Sequence, residues 1–222
     1  MSTSNDPWTA SKMKERNAQH ESRVREYLDR VIADKPRHAL FMNMLSMLEH
    51  MGSRKIMLSQ MNRVLTEDSL KHLAEEARHA YYFKRQAERA NGGAMDGYLN
   101  ENMTSRIPAL MYFGRMDAGI SKRVGDDAAY GWVSLIIELR ACWLYHLYQG
   151  ALDDSDYQMS LKSLIAEEDL HLAEMFEMCG DDVELLQELS AYETSLFETL
   201  WNALEAEEAA GADALVNKRD AA

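Results

Sequence analysis

The chain has 222 residues, enough for one sizeable domain, and 46% hydrophobic against 27% charged residues marks it as globular rather than disordered. A net charge of −13 excludes a broad nucleic-acid footprint, which needs a basic face. Two cysteines, Cys142 and Cys179, exclude a disulfide scaffold and a paired-cysteine zinc or rubredoxin-like site, and they fit a reducing compartment.

Eleven glycines and three prolines are few, which suits long helices better than a loop-rich sandwich. The pattern predicts an all-α chain of seven helices. The first covers roughly 9–34 and stops before Lys35-Pro36. The second covers about 37–63. Thr66, followed by Glu67 and Asp68, caps a third that runs to about 91, where Asn91-Gly92-Gly93 ends it. A loop at 92–105 leads to a shorter helix, about 106–122, with Pro108 in its first turn. Gly125-Asp126 opens a fifth helix to about 150. The stretch Asp153 to Asp156 opens a sixth that ends at Gly180. Asp181 or Asp182 caps the last, to about 209, with a frayed tail after Gly211.

The polar start of the chain has no apolar signal segment. The longest apolar stretch, Gly131 to Tyr148, is interrupted by Glu138, Arg140 and His146. Charges in mid-span cost about 2.5–3.5 kcal/mol each, so no membrane span is expected and the cytoplasm is the expected address. Charge is uneven. Residues 11–38 carry eight Lys/Arg against five acids, net +3, whereas residues 181–222 carry two against eleven, net −9. This describes a solvated helix at each end, with docking of the basic arm on an acidic neighbour as the alternative.

Acids make up 37 residues, yet between Asp34 and Glu67 there is one, Glu49, and between Asp127 and Asp153 there is one, Glu138. Both sit mid-helix in apolar surroundings. Burying a carboxylate is costly unless it is paired or metal-bound. Helical partners would lie three or four residues away. Around Glu49 these are Leu45, Ser46, Gly52 and Ser53, and around Glu138 they are Ser134, Leu135, Ala141 and Cys142. Neither set holds a cation. Glu75, with Lys71 and Arg78 at those offsets, reads instead as an exposed, paired residue.

The helices that follow each contain Glu-x-x-His: Glu76 with His79, and Glu168 with His171. Three residues of helix place both side chains on one face, about 4.5 Å apart along the axis, where both can bind one metal ion. Two such motifs are not rare by composition. Their order adds the weight: an isolated Glu precedes each by one helix, at 27 and 30 residues. The repeat Glu, Glu-x-x-His, Glu, Glu-x-x-His is an internal duplication of a helix pair. It offers four carboxylates and two imidazoles to one core, the donor set of di-iron and di-manganese carboxylate bundles.

On Glu49, Glu76-x-x-His79, Glu138 and Glu168-x-x-His171, over roughly residues 40–178, the chain resembles the ferritin-like superfamily of carboxylate-bridged di-iron proteins. The resemblance implies a single ferritin-like domain over 1–222. A four-helix metal-binding bundle would span about 37–180, with additional N-terminal, inter-half and C-terminal helices. It implies that Glu76 and Glu168 bridge two iron ions, with Glu49 and His79 on one and Glu138 and His171 on the other. Manganese, or a mixed iron–manganese pair, is the alternative metal, since mixed oxygen and nitrogen donors suit either. The three added helices obstruct a storage shell, and the cysteine pairs of two-domain rubrerythrins are missing. The implied activity is therefore a di-iron oxygenase or oxidase that activates dioxygen and acts on a small organic substrate, with electrons from a reductase. Iron oxidation and storage, peroxide detoxification, and a non-enzymatic helical interaction module stand as alternatives, and the long acidic helix is a candidate homodimer surface.

Around these residues the sequence gives smaller signals. Gly52, Ser53, Gly131, Ser134, Ala141 and Cys142 line the candidate metal face and leave either room for oxygen and substrate or close helix packing. Six methionines within 42–61 read chiefly as core filler. Tyr145, two turns from Glu138, reads chiefly as packing, and His72, one turn before Glu76, as packed or solvated, with an outer partner or extra ligand as the alternative. His50 and His146 lie off the metal faces. Arg78 and Arg140 either orient carboxylates or pair elsewhere.

Overall fold

The computed structural model of the chain describes residues 7–61, 64–179 and 182–220, with side chains described between residues 15 and 211. Among the described residues there are seven α-helices and no strand. They are α1 (Pro7–Ala33), α2 (Lys35–Gln60), α3 (Glu67–Asn91), α4 (Arg106–Val124), α5 (Asp126–Asp153), α6 (Lys162–Cys179) and α7 (Val183–Asp220). No described helix is long and apolar enough to cross a membrane.

The helix ends follow local chemistry. Asp34 accepts from the Arg37 amide to start α2, with Pro36 in the first turn. Thr66 and Ser69 cap α3 reciprocally, and Gly92 closes it at φ +73°, a left-handed conformation that glycine adopts without strain. Asp182 accepts from the Leu185 amide at 3.0 Å and caps α7; Asp181, the other predicted cap, lies outside the described residues. That helix continues to Asp220, past its predicted end at about 209 and through the tail expected to fray after Gly211.

The sixth helix starts later than its sequence suggests, at Lys162 rather than at Asp153–Asp156. The fifth helix runs on to Asp153, and the chain then turns. Gln149 on α5 accepts from the Leu161 amide at 2.5 Å, and Tyr82 on α3 donates to the Ser160 carbonyl at 2.6 Å. These side chains take backbone groups that an earlier helix would have used.

Two helix pairs form the site: α2 packs on α3 and α5 on α6, and α3 also meets α6. Helix α5 also packs against α1, α4 and α7. Its burial of Trp132, Val133, Leu135, Ile136 and Tyr148 matches a sequence that is apolar nearly all round. Each such side chain contributes about 1.5–3 kcal/mol of burial. Met42, Met44 and Met47 fill the core as expected, while Met57 and Met61 stand exposed.

The basic N-terminal helix finds its acidic neighbour within the same chain. Arg23 forks onto Glu205 at 2.7 and 2.5 Å, and Arg30 onto Glu208 at 3.0 and 2.9 Å. A further acid of α7, Glu207, anchors the start of α4. It accepts both the amide and the hydroxyl of Ser105, the one described non-glycine residue with positive φ.

Candidate metal centre

The helical spacing places Glu49 on α2, Glu76 and His79 on α3, Glu138 on α5, and Glu168 and His171 on α6. The structure brings all six together, and none is more than 7% exposed. Two overlapping quartets could each hold a metal ion. One is Glu49, Glu76, His79 and Glu168; the other is His72, Glu76, Glu138 and His171. Within each, one donor atom per residue lies within 4.8 Å of every other. Glu76 belongs to both. Glu168 also reaches both sides, with Oε1 2.9 Å from His79 Nδ1 and Oε2 3.5 Å from His171 Nδ1.

The imidazoles are aimed. His79 donates from Nε2 to Glu167 at 2.8 Å, and His171 from Nε2 to Glu75 at 2.7 Å. Those bonds fix the tautomer and turn both Nδ1 atoms inward. There His79 Nδ1 and His171 Nδ1 face Glu168 Oε1 and Oε2 at 2.9 and 3.5 Å, and the two buried nitrogens and Oε2 make no contact of regular hydrogen-bond geometry. Imidazole nitrogens turned inward among buried carboxylates and held from outside by further carboxylates could hold a metal ion. Arg78 donates to Glu167 at 2.7 Å, so it acts one layer further out. Glu75 is not the exposed residue its sequence neighbours suggest: Lys71 and Arg78 stand 4.0 and 3.7 Å away, and His171 is the closer partner.

Electrostatics shows what the carboxylates lack. Burial, reinforced by the charges of Glu76 and Glu168, pushes the Glu49 carboxyl well above its ordinary range. Burial and the adjacent Glu168 do the same to Glu138. Burial opposes ionisation of Glu168 too, but its polar contacts with Glu138, His171 and His79 outweigh it and hold that carboxyl low. Burial pulls His79 down, and the surrounding carboxylates more than reverse this, raising it to about 10. Two dications would replace these protons and supply the missing positive charge. The residues present therefore fit a pair of metal ions.

Room for the Glu76 carboxylate comes from Gly52. A Cβ at that position would lie 2.8 Å from Glu76 Oε2. Beyond the carboxylates lies a cavity of about 80 Å³ between α2, α4, α5 and α7. Glu49, Glu76, Glu138 and Glu168 line it, as do Leu48, Phe113, Ile137, Leu144 and Trp201. One water needs about 10–15 Å³ on this scale, so a compact organic group fits. Tyr112 and Arg140 border it, but their polar atoms are engaged. Tyr112 donates to Glu193 at 2.7 Å, and Arg140 directs its donors to Glu193, Asn17 and Thr194.

Three residues enter the site beyond the six. Tyr145, which the sequence casts as packing, donates its hydroxyl to Glu49. His72 lies with Glu138 and Glu76, and Tyr130 contacts its other nitrogen. The helical offset of His72 from Glu76 was the one sequence signal for it; nothing local marks Tyr130. His50 and His146 stay outside the cluster, as expected. No family model, curated protein or solved structure matches the chain.

Proposed function

We propose that the chain is a ferritin-like four-helix-bundle protein with a carboxylate-bridged di-iron centre, which oxidises a small apolar substrate with dioxygen. The observation that carries this reading is the placement of four buried carboxylates, all members of candidate metal-binding quartets, in the lining of a mostly apolar cavity. Glu76 and Glu168 would bridge, with Glu49 and His79 at one ion and Glu138 and His171 at the other. Two iron ions so held would supply dioxygen binding and redox equivalents, with electrons from a separate reductase.

The protein's share is positioning and exclusion of water. Glu167 and Glu75 hold the imidazoles in the tautomer that leaves Nδ1 free. Tyr145 holds a proton at Glu49 Oε1, and both residues line the cavity. The apolar walls select an uncharged carbon skeleton, because the polar atoms of Arg140 and Tyr112 are already satisfied.

The test is metal analysis of protein purified without chelator, beside a Glu76→Ala, Glu168→Ala double variant. About two irons per chain, lost in the variant, are expected, together with oxygen uptake by the reduced protein. No metal in the parent, even after anaerobic iron reconstitution, would overturn the reading. Uptake of many irons per chain would replace it with iron storage.

A further inference from the structure

We propose that His72 is a seventh metal ligand, a third imidazole that makes the two metal positions unlike. This rests on the di-metal reading above. His72 is one helical turn before Glu76 on α3 and is 3% exposed. Its Nε2 lies 3.2 Å from Glu138 Oε1 and 3.6 Å from Glu76 Oε1. His171 Nδ1 lies 3.9 Å from each of those same oxygens. Donors bound about 2.1 Å from one ion are about 3.0–3.4 Å apart, so a small contraction of this cage closes it on a metal.

His72 is also built like the two expected histidine ligands. Each has one nitrogen engaged on the outside and one turned toward carboxylate oxygens. For His72 the outer contact is Nδ1 with the Tyr130 hydroxyl at 3.1 Å. When Nδ1–H donates to Tyr130, the Nε2 lone pair faces Glu76 and Glu138. The His72 ring sits beside the ligand His171, with centroids 4.3 Å apart.

The second half of the chain has no counterpart. Four residues before Glu168 stands Leu164, buried in the core. The internal duplication is therefore broken at one position, and that position faces the metals. The ion beside Glu138 and His171 gains a second nitrogen. The ion beside Glu49 and His79 has one, although Glu49 and Glu138 border the same cavity.

The deciding experiment is iron anomalous diffraction from metal-loaded crystals of the whole chain. Expected is His72 Nε2 within about 2.3 Å of one ion. Two ions bound, with Nε2 more than 3 Å from both and donating to Glu138, would overturn this proposal and leave the di-metal reading intact. No bound ion would overturn both. In solution, His72→Ala should keep its helical circular dichroism and weaken one of two metal-binding steps at least tenfold. Pulsed electron paramagnetic resonance of the mixed-valent protein should lose one coupled nitrogen. An unchanged nitrogen count would overturn the assignment.

Discussion

His171 on α6 donates to Glu75 on α3, and His79 on α3 donates to Glu167 on α6, at 2.7 and 2.8 Å. The residue before the glutamate of each Glu-x-x-His motif thus holds the histidine of the opposite motif. The two halves position each other's candidate ligands, and these bonds cross-tie α3 and α6. Glu75→Ala should weaken the metal position of His171, and Glu167→Ala that of His79, by about 10–100-fold each. Chelator-competition titrations of the two variants check this. Undiminished affinity in both would show that the bonds serve packing alone.

Gly52→Ala separates folding from metal binding. Alanine favours helix by about 1 kcal/mol over glycine, so the metal-free protein should be as stable as the parent or slightly more so. The new methyl carbon would meet the Glu76 carboxylate at 2.8 Å and push its flexible end aside. Metal content should fall while the denaturation midpoint of the metal-free protein holds or rises. A variant that loads fully would show that Glu76 can bridge from another rotamer.

The clustering of the candidate ligands is legible in the sequence because helical spacing is local. Glu49 and Glu138 stand out by the absence of cations one turn away, and each Glu-x-x-His places two donors on one face. What the sequence hides lies across helices. The partner of His72 is 66 residues away, and that of His171 is 96. Glu75 misleads because Lys71 and Arg78 stand at helical offsets from it, while its short bond goes to another helix. The late start of α6 is hidden for the same reason, since it depends on where Gln149 places its amide oxygen. The seven-helix order and the central place of α5 follow from periodicity and caps, and these the structure reproduces.

One wall of the cavity rests on a buried ion pair, Arg140 with Glu193. Arg140 and Glu193 are 5% and 3% exposed and are joined by two bonds of 2.8 and 2.7 Å. The guanidinium also stacks on Phe197, 4.1 Å from the ring centroid. Glu193→Ala leaves this cation buried and unpaired, a loss of about 3–5 kcal/mol. Urea denaturation should show it, and metal content per folded chain should not change. A loss below about 1 kcal/mol would mean that water reaches Arg140 and hydrates it.

A second buried group gives the fold a pH dependence of its own. His38 is fully buried, with Nε2 on the Tyr148 hydroxyl and the Tyr157 ring against its face. Burial pushes it from 6.5 down to about 4. Between those values the unfolded chain binds a proton at this position and the folded chain does not. Stability contributed by the neutral imidazole is therefore intact above pH 6.5. It declines as pH falls below that value and is lost by about pH 4. The span corresponds to about 3 kcal/mol. His38→Gln keeps an acceptor near Tyr148 but cannot take the proton. Its stability deficit relative to the parent, measured by urea denaturation with chelator present, should therefore shrink by about that amount between pH 7 and pH 4. The carboxylates of the metal centre titrate in both proteins and cancel in the difference. Parallel pH curves would mean that His38 protonates in place, with Tyr148 turning its hydroxyl to accept.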